Sequence, residues 1–159
     1  MKEICQFDVI GTPAPQGSKK FVGTTKAGRG ILVESSKKVK PWRQDVKAAA
    51  STVAALLCAR TDLGGVAVPI AGPLWVSMVF TMPKPASAPK RRRTWPDKKP
   101  DVSKLARSTE DALVDAGLIR DDSRIVEYVR LAKVFPGEDP QSLRSPGVSI
   151  TIYVPDIDA

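Results

Sequence analysis

The stretch from Pro73 to Thr81 limits the architecture more than any other. Leu74, Val76, Met78 and Phe80 alternate with Trp75, Ser77, Val79 and Thr81, so both faces of an extended segment are mostly apolar. Such a strand must be covered on both sides, which places it centrally in a sheet with helices packed against it. Shorter strand patterns surround it. Ile4 to Ile10 ends at Gly11-Thr12-Pro13; Phe21-Val22 and Ile31 to Val33 flank a Gly/Lys/Arg turn and predict a hairpin; Ile125 to Phe135 and Gly147 to Val154 close the chain. Two helices are expected. From Trp42 to about Arg60, after Pro41, apolar residues recur at three- and four-residue steps, with Leu56, Leu57 and Cys58 assigned to the core. From Val102 to Ala116 the buried face is Val102, Leu105, Ala106, Thr109, Ala112, Leu113 and Ala116, and Gly117 is the stop. The fold class is therefore α/β (α+β): a mixed β-sheet with two main helices packed on it, in one domain over residues 1–159.

Charge narrows the function. The formal net charge is +8 and the isoelectric point about 9.7, which favours a polyanionic partner, nucleic acid before membrane surface. The chain has no histidine, so Ser-His-Asp catalysis, histidine general bases and histidine-held metals are all excluded. Its two cysteines, Cys5 and Cys58, form no CxxC pair. Any metal must then sit among oxygen ligands, which suits magnesium or manganese. The N-terminal pattern enters a strand directly and no apolar run reaches spanning length, so a cytoplasmic protein with no membrane partner is expected.

Cations cluster in one place. Between Met82 and Pro100 five prolines prevent regular structure, and Lys84, Lys90, Arg91, Arg92, Arg93, Lys98 and Lys99 surround Trp95. A flexible basic arm with one exposed aromatic fits contact with a nucleic-acid backbone and stacking on a base; the alternative is a solvated linker whose tryptophan packs back on the domain. Lys19 and Lys20, closing a Pro/Gly-shaped loop, are either further backbone-contact candidates or a solvated lysine pair. Arg43, Lys47 and the lysines before Trp42 oppose the dipole of the first helix, a placement that points to use on an external anion.

Carboxylates lie just beyond the arm. Asp101 opens the second helix and Asp121-Asp122 follow its end. Two or more acids converging on one ion could support phosphodiester hydrolysis, because magnesium takes oxygen ligands at about 2.1 Å. Each also has a plain reading: Asp101 as a helix N-cap and the Asp-Asp pair as a turn signal. Asp111 is expected to pair with Arg107 one turn away.

The run Lys99-Pro100-Asp101-Val102-Ser103-Lys104-Leu105-Ala106-Arg107, then Glu110-Asp111-Ala112-Leu113, then Asp121-Asp122-Ser123-Arg124-Ile125, then Lys133, resembles the RusA family of Holliday junction resolvases. The loop from Gly11 to Lys20 resembles that family's N-terminal loop, and the flavour is that of copies carried by bacteriophages. The resemblance implies a homodimeric, Mg²⁺-dependent endonuclease, with Mn²⁺ able to substitute, that nicks four-way junctions of double-stranded DNA. It implies Asp101 and Asp122 as catalytic metal ligands, helped by Asp121 and Ser103, with Arg107 and Lys104 stabilising charge. It casts Lys19, Lys20, Lys90, Arg91, Arg92, Arg93, Lys98, Lys99 and Lys133 as DNA-binding residues. Ser103 stands where the family has a second aspartate, Lys104 where it has asparagine, and Arg107 where it has lysine. A branched-DNA-binding protein with impaired catalysis on the same scaffold is the alternative.

Overall fold

The computed structural model describes residues 1–17, 19–34, 37–59 and 67–156, with the backbone alone for 19–21 and 31–34. In chain order the elements are β1 (Lys2–Ile10), β2 (Lys19–Thr24), β3 (Gly30–Glu34), α1 (Val39–Ala59), β4 (Leu74–Thr81), α2 (Val102–Asp115), a short 3-10 turn (Asp122–Arg124), β5 (Ile125–Val134) and β6 (Gly147–Val154). β2 and β3 form the expected hairpin. The other strands make one mixed sheet in the order β1-β6-β4-β5. β4 runs antiparallel to β6 and parallel to β5, because α2 makes the crossover between them.

The alternation in β4 explains the layers. Leu74, Val76, Met78 and Phe80 join Val148, Ile150 and Ile152 of β6 in a core completed by Trp42, Val46 and Ala50 of α1 and Leu105, Ala106, Ala112 and Leu113 of α2. The opposite row is buried differently from the helical cover expected. Ser77, Val79 and Thr81 lie outside that core, and the Leu143 N–H from the loop after β5 donates to Thr81 Oγ1 at 2.8 Å. Burying the 26 apolar side chains of this core among the described residues, at roughly 1.5–3 kcal/mol for each of the larger ones, is the main force holding the layers together.

α2 is buried along Leu105, Ala106, Ser108, Thr109, Glu110, Ala112 and Leu113, with Val102 and Ala116 only half-buried at its ends. Trp42 Nε1 donates to Thr109 Oγ1 at 3.3 Å, satisfying both buried groups across the α1–α2 contact. Gly117, at φ +70°, ends the helix in the left-handed conformation that a side chain would strain. Within α1 the core assignment is corrected: Leu57 is buried, but Leu56 is 60% exposed and Cys58 is exposed, because α1 buries a narrow stripe (Val39, Trp42, Val46, Ala50, Ala54, Leu57) and positions 56 and 58 fall to either side of it. No helix among the described residues is long and apolar enough to cross a membrane.

β5 lies at a sheet edge. Its register against β4 slips between Leu74 and Trp75 and again between Val76 and Ser77, leaving Val126 and Val129 as extra residues. They are 59% and 44% exposed. Edge strands are commonly guarded by charge; here the bulged positions are apolar.

Candidate functional site

Every acid singled out in the sequence is tied to α2, and the helix separates them. At its N-terminal end Asp101 occupies the N-cap position with extended backbone (φ −68°, ψ 136°), yet its side chain makes no capping hydrogen bond. Its carboxylate instead faces Lys104 Nζ at 3.3 Å, and both side chains are about half exposed. The capping reading thus does not account for the side chain. Ser103, Lys104 and Arg107 follow on the first two turns and are exposed. The Thr12–Pro15 segment leans on this half of the helix: Ser108 Oγ donates to Ala14 O at 2.7 Å, and Gln16 N to Lys104 O at 3.0 Å.

The other acids gather past the middle of the helix. Asp121 caps the 3-10 turn, accepting from Ser123 N at 3.0 Å and from Ser123 Oγ. These bonds hold its carboxyl below the usual carboxylate range. Asp122, in the turn itself, is exposed and close enough to raise the pKa of Glu110. Glu110 is nearly buried; burial pushes its carboxyl up, opposed by a hydrogen bond that Tyr128 Oη donates to it. Burial and that same bond push the Tyr128 phenol well up. Asp111 and Asp115 complete the cluster. Arg43 of α1 bridges them, at 3.4 Å and 2.7 Å, and this corrects two expectations. Asp111 pairs with Arg43 rather than Arg107, and Arg43 serves an internal anion rather than an external one.

From Asp101 to Glu110 the helix rises about 13 Å, at 1.5 Å per residue. One ion with ligands at about 2.1 Å cannot span that. Among the described residues no group of three or more His, Cys, Asp or Glu could hold a metal. Within one chain, then, Asp101 and Ser103 stand apart from Asp121 and Asp122. Glu127, on β5, accepts from Trp75 Nε1 at 3.2 Å. The far end of β5 reaches the segment just before Asp101. Lys133 Nζ donates to Lys98 O and Pro100 O, both at 2.8 Å. Lys133, expected on DNA, thereby also fastens the arm to the sheet.

The arm has no helix or strand, as its prolines require, but it is anchored rather than loose. Glu138 accepts from Lys84 and from Thr94 N (3.0 Å), and Asp139 pairs with Arg93 at 3.6 Å. Lys90, Arg91, Arg92, Lys98 and Lys99 are exposed, and among the described residues no carboxylate pairs with them. The backbone of Lys19 and Lys20 lies in β2, and their side chains are outside the described part of the molecule.

A basic arm with exposed cations beside an aspartate not used as a cap, and a second group of acids without histidine, is equipment for a phosphodiester backbone and a hard cation. The family model for endodeoxyribonuclease RusA matches residues 11–153 of the 159. The chain belongs to the RusA family. It is an endodeoxyribonuclease of a family that resolves Holliday junctions, binds branched DNA and generally uses divalent metal ions. The matched span takes in both ends of α2, the arm and the Thr12–Pro15 segment. Comparison with curated proteins returns no match.

Two residues beside the candidate acids, Glu110 and Tyr128, were given no role from the sequence. Glu110 was legible as part of a motif but had no role, and Tyr128 was only a strand residue. The available signal was Glu110 itself: with Ala106 four residues before and Leu113 three after, it lies on the apolar face of α2, where an ionisable group needs a reason.

Proposed function

We propose that this RusA protein acts as a homodimer that nicks four-way junctions and related branched DNA with Mg²⁺, Mn²⁺ being able to substitute. In this reading Asp101 and Ser103 of one protomer face Asp121 and Asp122 of its partner. The observation that carries it is the division of the acids along α2 while Lys133 ties the end of β5 to the segment before Asp101. If two copies meet antiparallel along the exposed β5 edge, the start of one β5 lies beside the end of the other. Asp122 then approaches the Asp101 of the second copy twice, once at each of two symmetric sites. Charge supports the same pairing, since the acidic end of one molecule meets the basic end of the other. The apolar bulges Val126 and Val129 would be covered.

The residues suit a divalent ion. Asp101 is not used as a cap, Asp122 is exposed, and the donors are all oxygens. Such an ion, when bound, polarises a phosphate and lowers the pKa of a bound water. The chain does the rest. Ser123 fixes the direction of Asp121, and Tyr128 holds Glu110 beneath Asp122. Lys104 and Arg107 set positive charge against the phosphoryl oxygens; Arg107, always protonated, acts there as a charge stabiliser and not as a base. The arm cations hold the backbones of the junction arms.

Mixing two inactive variants tests the reading. Asp101→Asn and Asp122→Asn chains, coexpressed at equal amounts, give hybrid dimers in which one site carries both substitutions and the other carries neither. The mixture should nick a synthetic junction at about a quarter of the wild-type rate, although each variant alone is inactive. An inactive mixture of proven hybrid dimers would assign the acids to a single chain. Sedimentation should show a dimer for the wild type and a monomer for Val129→Asp, whose exposed position spares the fold. Wild-type protein that binds junctions and never cuts them at any Mg²⁺ concentration would leave the binding-protein reading.

A further inference from the structure

The anchored arm encloses a groove that phosphate contact alone does not use. It has a volume of about 990 Å³, lies between the arm and the Thr12–Pro15 segment, and is floored by Met82 and Phe135. Several arm prolines wall it, and it ends at Asp101 and Lys104. That size falls at the upper end of the roughly 300–1,000 Å³ typical of sites for small organic groups. Trp95 stands in its lining and is 64% exposed. A tryptophan that merely packed back onto the domain would be covered.

Trp95 is also held in place. The Arg93 guanidinium lies 5.3 Å from its ring centre. Arg93 is braced by Asp139, whose side chain is only 4% exposed and which Arg130 grips at 2.6 Å. The indole therefore ends a chain of contacts rooted in the sheet, and little freedom is lost when something stacks on it. Arg92, Lys98, Lys99 and Lys104 rim the same groove, against Asp97 and Asp101 as its anions. An apolar slot with a fixed aromatic and a cationic rim has the complementarity of a nucleotide: a flat base inside, a phosphate at the edge.

We propose that this groove takes an unpaired nucleotide of branched DNA, its base stacked on Trp95 and its phosphates on the rim lysines. A paired base offers no free face to a side chain, so the ligand is single-stranded DNA at or beside the branch point. The site would distinguish branched DNA with unpaired bases from intact duplex, and would feed the strand toward Asp101. The inference rests on the DNA-cleaving reading above, but it concerns substrate selection rather than the chemistry.

The test uses the intact 159-residue protein at fixed salt, with an oligodeoxythymidylate and a duplex of equal length as probes. Binding of the oligothymidylate should quench tryptophan fluorescence. Trp95→Phe should keep the affinity and lose the quench, since phenylalanine still stacks. Trp95→Ala should weaken oligothymidylate binding by about tenfold, within the range for one stacked base, and duplex binding by less than about twofold. A junction with two unpaired nucleotides at its centre should likewise lose more affinity than a fully paired one. Equal losses for both probes, or none, overturn the groove site and leave the cleavage reading intact. Wild-type protein that binds no DNA of any form overturns both.

Discussion

The two ends of α2 carry opposite kinds of surplus. At the N-terminal end one aspartate stands among cations: Lys104 beside it and the arm's exposed Lys98 and Lys99 just before it. An acid there is also favoured by the positive pole of the helix. Around the C-terminal half the balance is reversed. Glu110, Asp111, Asp115, Asp121 and Asp122 gather there; Arg43 bridges Asp111 and Asp115, and the last turn of the helix holds no basic residue. Carboxylates near the negative pole of a helix are locally unfavourable, so folding alone does not explain that grouping. In the proposed reading one end receives an anion and the other a cation. Cleaving a phosphodiester needs both at one place, so the difference between the ends is itself the argument for a second copy.

The sharpest way to break the comparison is to neutralise one acid at each end. Asp101→Asn and Asp122→Asn should each lower nicking by about 100-fold or more, in line with removing one electrostatic contributor from an active site. Junction affinity, measured by gel shift in Ca²⁺, should stay within about threefold. Equal losses make the ends two halves of one machine; a loss at only one end would make the other a bystander.

A smaller effect should come from Ser103→Asp. A hydroxyl at this first-turn position brings no negative charge, and an added carboxylate beside Asp101 should lower the Mg²⁺ concentration for half-maximal nicking by about tenfold. An unchanged Mg²⁺ requirement would mean that the first turn of α2 does not face the ion. Smaller still, replacing Lys90, Arg91 and Arg92 together by alanine should reduce the slope of log affinity against log salt by up to about 0.9 for each phosphate no longer neutralised. The nicking rate at saturating protein should not change, because those cations hold substrate and do no chemistry.

Much of this was legible in the sequence because it depends on short periods. The alternation of β4 located the centre of the sheet, Gly117 the end of α2, and the prolines after Met82 an arm without regular structure. Partners separated by long stretches of chain were not legible. Nothing in the spacing shows that Arg43 reaches 68 positions onward to Asp111, that Lys133 fastens the arm, or that Glu138 and Asp139 anchor it. A shared metal within one chain met the same barrier in a stronger form. The spacing of Asp101 and Asp122 brackets a helix, and a helix holds its ends apart however suggestive the motif.

The finest distinction between the two ends is their response to pH. Glu138 and Asp139, which anchor the arm, are held below the ordinary carboxylate range, chiefly by hydrogen bonds from Lys84 and Arg130. A depressed folded-state pKa contributes stability above the unfolded pKa, about 4, and loses it as pH falls through the folded value. The arm should therefore stay fastened from pH 8 to about 5 and let go only in stronger acid, seen as a change in Trp95 emission. Glu110 has the opposite sign. Burial raises its pKa, so the folded protein favours the protonated form, and that contribution, complete below the unfolded value, is lost as pH rises through the folded one. In metal-free buffer the wild-type melting temperature should thus rise slightly as pH falls from 8 toward 5, before the arm releases. Glu110→Gln should flatten that rise and leave the acid release of the arm untouched. A mutant that kept the wild-type profile would show that Glu110 is compensated by some interaction other than the Tyr128 hydroxyl, and the acidic end would lose its distinguishing chemistry.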